Sequence, residues 1–177
     1  MTAQETPASA SAPASTPAVP VTLPAGAADV AALEAQEARL VLPRFTHDDA
    51  WALGNLLVSL ARDRSAPVVI DIRRGAQQMF HCALPGASAD NDAWADRKRR
   101  TVERFGVSSL LTGTRFRSRG RNFDTDARLD PAEYAAHGGS FPIAVEGAGV
   151  IGSVTVSGLP QLEDHALIVE ALERFRG

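Results

Sequence analysis

The chain has 177 residues, 45% of them apolar, enough to bury one ordinary core and most simply read as a single domain. Its formal net charge is only −3, which argues against nucleic acid as the target, and no apolar run approaches the ~20 residues that span a bilayer. One cysteine, Cys82, excludes an internal disulfide and fits a reducing compartment.

Residues 1–27 hold five of the eleven prolines and no Lys, Arg or aromatic residue. Such a stretch cannot bury enough surface to offset chain entropy, so a disordered tail is expected before a domain at 28–177. A secretory leader needs a basic start and an apolar run of roughly 7–15 residues; the tail has neither, and the expected location is the cytoplasm. Val30 to Ala38 reads as a short helix, and Arg39 to Phe45 as a strand with Leu40 and Leu42 on one side. Thr46 offers an N-cap, with Asp48 and Asp49 favouring a helix start. Ala50, Leu53, Gly54, Leu57 and Ala61 then recur at helical spacing.

Val68 to Ile72 forms an apolar strand containing Asp71, which needs a partner if buried; an arginine from 115–121 is one candidate, water the other. The RRGAQQ run at 73–78 supplies a hairpin turn returning through Met79 to Leu84. Asp90 or Asn91 can cap a helix running to about Phe105. From Gly106 to Leu129 periodicity weakens, and a long loop is expected there, covering a site or making a subunit contact. Pro131 to Ala136 allows one more short helix. Phe141, Ile143 and Val145 alternate, Glu146 to Gly149 turn, and Val150 to Val156 returns as a β-branched run. A final helix carries Leu162, His165, Val169 and Leu172. The sum is an α+β fold, five mostly antiparallel strands flanked by helices.

Four stretches carry a family resemblance: ALGNLL in the first long helix, VVIDIRRGAQQMFHCALPG in the first hairpin, DNDAWADRKRRTVERFGVSS in the middle helix, and GGSFPIAVEGAGVIGSVTVSGL at the end. Together they resemble the HbpS-like, or GlcG-like, haem-degrading domain family, in particular a branch of small cytosolic proteins, from about residue 35 onward. The resemblance implies a profilin-like fold with a five-stranded antiparallel sheet between helices, a homo-oligomer built from dimers, and haem or small-ligand binding. Fold likeness does not by itself transfer function.

Candidate chemistry is sparse. No CxxC or HExxH pattern marks a metal site, and Ser108 and Ser109 lack a nucleophile elbow. His47, His81 and His165 read as structural or surface residues. His137 is better placed for a ligand, because Gly138 and Gly139 follow it and allow close backbone approach. Asn91, Trp94 and Lys98 share one side of a helix through i, i+3 and i+4 spacing. Either they frame a polar pocket beside Asp90, or Asn91 caps the helix, Trp94 packs and Lys98 stays solvated.

Between Arg97 and Arg121 stand nine basic residues and one acid, Glu103. Arg115, Arg117, Arg119 and Arg121 alternate and would face one side if extended. Such a row suits phosphate, carboxylate or haem propionates, or else a subunit-interface ion network. Two functions follow: an oligomer that binds, and by resemblance degrades, haem or another small anionic ligand through Asn91, Trp94, Lys98, Arg115, Arg117, His137, Gly138 and Gly139; or a non-enzymatic oligomeric scaffold for protein partners.

Overall fold

A computed structural model describes residues 22–176. The elements in chain order are α1 (Ala27–Arg39), α2 (His47–Asp63), β1 (Val69–Arg74), β2 (Gln77–Ala83), α3 (Ala89–Phe105), α4 (Ser109–Arg117), α5 (Phe123–Asp126), β3 (Ser140–Val145), β4 (Gly149–Ser157) and α6 (Gln161–Arg176). The strands form one antiparallel sheet in the order β2-β1-β4-β3. Both hairpins pair internally, and the sheet is closed at its centre by β1 against β4, with Val69 opposite Ser157 and Arg74 opposite Gly152.

Alternation along β4 decides the two faces. Val154 and Val156 join Ile70, Ile72, Phe141 and Ile143 in one apolar cluster with Leu53 and Leu57 of α2 and Leu167, Ile168 and Leu172 of α6. Ser153, Thr155 and Ser157 must then point the other way, toward α3, and all three are buried. Hydrogen bonds satisfy much of this second layer: Ser140 Oγ meets Thr155 Oγ1 at 2.8 Å, Ser109 Oγ donates to the Ser140 carbonyl, and Thr101 Oγ1 donates to the Ala135 carbonyl. One layer is greasy, and the other is held by hydroxyls.

Four strands stand among the described residues where five were expected. The Arg39–Phe45 segment makes only an isolated parallel bridge, Leu42 to Val145. The Leu42 N–H donates to the Ala144 carbonyl and the Glu146 N–H donates to the Leu42 carbonyl, each at 2.9 Å. Pro43 has no N–H to extend the ladder, yet Leu40, Leu42 and Phe45 are all buried.

The expected 106–129 loop is largely helical, as α4 and α5. Ser108 Oγ accepts from the Leu111 N–H and Asn122 Oδ1 from the Asp124 N–H, so each short helix has its own cap. The short helix expected at 131–136 is only a turn. Asp71 is buried against Arg73 of its own strand and Gln78 of β2, not against the 115–121 arginines. Of the expected 1–27 tail, residues 1–21 lie outside the described residues. Residues 22–26 lead into α1, with the Pro24 carbonyl accepting from Arg117 Nε at 2.9 Å.

Candidate functional site

Three elements meet at one end of the hydroxyl layer: the first half of α3, the His137–Gly139 run entering β3, and the turn from β4 into α6. Each is fixed by local chemistry. The Ser88 N–H and Oγ donate to Asn91 Oδ1 at 2.8 and 3.1 Å, setting the start of α3. Gly139 has φ of +116°, and a Cβ there would meet Lys98 Nζ and the Val156 carbonyl oxygen at 2.5 Å; only glycine lets the chain pass.

Lys98 joins all three elements. Its side chain is buried, and Nζ donates to the Gly138 carbonyl at 3.2 Å, the Val156 carbonyl at 2.8 Å and Asp164 Oδ2 at 2.9 Å. An ammonium has three donors, so none is left for a ligand. Asp164 is buried too, and its Oδ1 accepts from the Leu159 N–H at 3.0 Å. Burial pushes the lysine below its ordinary pKa and the carboxyl above its own, while their mutual attraction opposes both shifts.

Around this anchor lies an open cleft of about 290 Å³, lined by Asp90, Asn91, Trp94, His137, Gln161 and Leu159 among others. Trp94 and His137 stand edge to face, ring centroids 5.2 Å apart, and the Arg97 guanidinium stacks 3.7 Å from the Trp94 ring centre. His137 Nδ1 is buried without a hydrogen-bond partner among the described residues. Burial holds the imidazole below its ordinary pKa; Asp124 pulls it up, and Lys98, Arg117 and Arg97 push it further down. At neutral pH the ring is therefore uncharged, the form that can ligate iron or accept a proton. His137 and Gln161 also border a second cleft of about 300 Å³, lined on its far side by Arg117, Arg121, Asn122, Phe123 and Asp124.

The structure gathers Asn91, Trp94, Lys98, His137 and Gly138 around the first cleft, with Gly139 packed behind Lys98. Asn91 caps its helix, but Lys98 is buried rather than solvated. Arg117 lies at the second cleft, whereas Arg115 is paired with Glu34 at 2.7 Å and lines neither. The extended arginine row does not form: Arg115 and Arg117 lie in α4, where residues two apart point away from each other at ~100° per residue, Arg119 lies in the turn that follows it, and Arg121 comes directly after that turn. Arg97, Gln161 and Asp164 were not singled out from sequence. Arg97 had a signal, standing three residues after Trp94 on one helix; Gln161 and Asp164 follow a strand stop, and nothing in their identity marks them.

The remaining histidines lie elsewhere. His47 is exposed at the start of α2, His81 Nε2 lies 2.8 Å from Asp92, and His165 is buried against Gln36. No group of three His, Cys, Asp or Glu side chains suited to a metal ion occurs among the described residues.

The model of the family described as haem degrading protein HbpS-like matches residues 45–173, and the chain belongs to that family. A UPF0303 protein of Streptomyces avermitilis is 71% identical over 143 residues, covering 81% of this chain and 88% of its own. The crystal structure of Ybr137w protein superposes with a TM-score of 0.77 at 34% identity, over 83% of this chain and 87% of that one. The PduOC:heme complex superposes with a TM-score of 0.63 at 17% identity, over 73% and 93%; that likeness supports the α+β fold, an antiparallel sheet flanked by helices. No helix among the described residues is long and apolar enough to cross a membrane.

Proposed function

We propose that the protein binds haem, or a comparable small anionic ligand, against His137 in the cleft between α3 and the β4–α6 turn. One observation carries this: a His137 ring nitrogen, buried and without a hydrogen-bond partner among the described residues, set edge to face with Trp94 at the cleft. The residues present suit haem. Imidazole is a usual iron ligand, Trp94 offers a flat apolar surface, and the Arg97 guanidinium can face a propionate. When bound, haem would supply an iron centre for oxygen chemistry, the sense of the family's description; the chain's own part is to hold, orient and shield it. Lys98 and Asp164 act here as positioning residues, fixing Gly138 and thereby the ring next to it.

The same proposal includes a cytoplasmic setting, a profilin-like plan for the sheet and helices, and assembly into a homo-oligomer. Self-association draws support from β2, an edge strand whose outer side pairs with nothing among the described residues. Beside it stands Trp51, 65% exposed and edge to face with Phe80. This exposed aromatic also favours the second reading, a scaffold that recruits protein partners.

Haemin titration tests the haem reading. We expect stoichiometric binding with a Soret band, weakened roughly tenfold or more and spectrally altered in His137→Ala. A haemin spectrum left unchanged by micromolar wild-type protein would exclude haem and leave the small-anion and scaffold readings. Unchanged binding by the variant would remove His137 from the site.

A further inference from the structure

Arg97, Arg100, Arg104, Arg117 and Arg119 have no carboxylate partner among the described residues, and of these Arg117 is the one that lines the second cleft. Arg99 meets Asp96 and Glu103, Arg115 meets Glu34, and Arg121 lies 3.8 Å from Asp126. Arg117 is half-buried, and its hydrogen bonds go only to neutral oxygens: Nε to the Pro24 carbonyl at 2.9 Å and Nη2 to Thr114 Oγ1 at 3.0 Å. No carboxylate pairs with it among the described residues, and burial weakens its hold on its proton. A guanidinium drawn from water without a counterion is costly unless an anion completes it.

The backbone packs closely against one side of this group. A Cβ at Gly113 would come within 2.9 Å of Arg117 Nη1 and 2.3 Å of the Ala136 carbonyl oxygen, so α4 can pass here only with a bare glycine. The space lined by Arg117 is the second cleft, which shares His137 and Gln161 with the lining of the first. Its charged lining residues are Arg117, Arg121 and one acid, Asp124.

We propose that the second cleft is a carboxylate subsite, in which Arg117, with Arg121 beside it, receives an acidic arm of the ligand whose body lies against Trp94 and His137. The subsite rests on the ligand-binding reading above for what fills the first cleft, but its charge can be tested alone. The class of ligand it implies is a flat or aromatic molecule carrying a carboxylate long enough to pass His137. The planar guanidinium accepts such a group through paired N–H donors, with a strength and direction a lysine cannot match.

The test is thermal unfolding of the full chain in benzoate, inorganic phosphate and chloride at matched ionic strength. Benzoate is expected to raise Tm with a saturating concentration dependence, as for a ligand bound to the native state. Arg117→Gln and, with its charge kept but its fork lost, Arg117→Lys should each weaken the apparent benzoate affinity by roughly tenfold or more. Should Arg117→Gln fail to fold, Arg121→Gln is expected to show a smaller loss of the same kind. No benzoate effect beyond chloride, a response confined to phosphate, or an unchanged response in the variants would each overturn the carboxylate subsite. Haemin and its dimethyl ester separate this from the parent reading: equal binding of the two by wild type overturns the subsite while haem binding stands, and binding of neither removes haem while the benzoate result stands.

Discussion

Lys98 and Asp164 form a buried pair whose weakest feature is any change to one member alone. Lys98→Met would leave an unpaired carboxylate and two backbone carbonyls without their donor, and should cost about 3–5 kcal/mol of unfolding free energy. The double variant Lys98→Met with Asp164→Leu should recover part of that loss, since a buried pair replaced by apolar groups is often near neutral. Urea denaturation of the two singles and the double gives the coupling; additive losses would show that the pair does not act as a unit. His165 offers a different readout. Its Nε2 lies 2.8 Å from Gln36 Oε1, so Nε2 carries the proton and Nδ1, buried and unpartnered, is the free lone pair. Burial lowers its pKa from 6.5 to about 4. The unfolded chain takes up a proton below about pH 6.5, the folded chain only near 4, so this residue's contribution is whole above 6.5 and is lost as pH falls toward 4. The loss should reach about 3 kcal/mol, seen as the difference in pH dependence between wild type and His165→Gln. Parallel profiles would mean that the ring titrates normally.

Among the elements, α2 was the most legible in the sequence. Thr46, Asp49 and the 3.6-residue apolar stripe announced it, and the structure closes the capping box: the Thr46 N–H donates to Asp49 Oδ2 at 2.8 Å and the Asp49 N–H to Thr46 Oγ1 at 3.2 Å. Thr46→Ala should therefore cost about 1 kcal/mol, read as a lowered Tm, with no change in ligand binding because α2 lies across the sheet from the clefts. An unchanged Tm would mean that the end of α2 is held by its packing alone. The hairpins were legible for the same reason, alternation punctuated by glycine. Two segments were not. Leu40, Leu42 and Phe45 carry a strand-like burial pattern, but ladder formation depends on N–H groups, and Pro43 interrupts them; pattern reports which side is buried, not which partner bonds. The α4 segment hid its helix because its buried face is made of Ser109, Thr112, Gly113 and Thr114 as much as of Leu110 and Leu111. A periodicity search over apolar residues passes over a helix buried by hydroxyls. The site suffered likewise: His137 and its glycines stood out by residue type, whereas Lys98's burial is set by Asp164, 66 positions away.

At the scale of the whole molecule, the two hairpins are local and the sheet is not. Each hairpin forms across a short turn, but neither completes an apolar face until β1 lies beside β4, with Val69 opposite Ser157. Everything between them in the chain, including α3, α4 and the His137 run, must be in place or out of the way when that pairing closes. Non-local pairing of this kind slows folding, because loop entropy is lost before the contacts that offset it are made. A nascent chain would thus emerge as far as β3 with its first hairpin and helices unsupported, and the core would close only once β4 and then α6 were free. A chain stopped at residue 148 should accordingly show helical signal without a cooperative unfolding transition, whereas one carrying β4 and α6 should unfold in a single step. A sharp transition in the shorter chain would mean that the first half is a folding unit in its own right. If the central pairing is the last act of folding, then the cleft, built from α3 on one side of that seam and from β4 and α6 on the other, has no half-formed version: a chain that has not finished folding has nothing with which to capture a ligand.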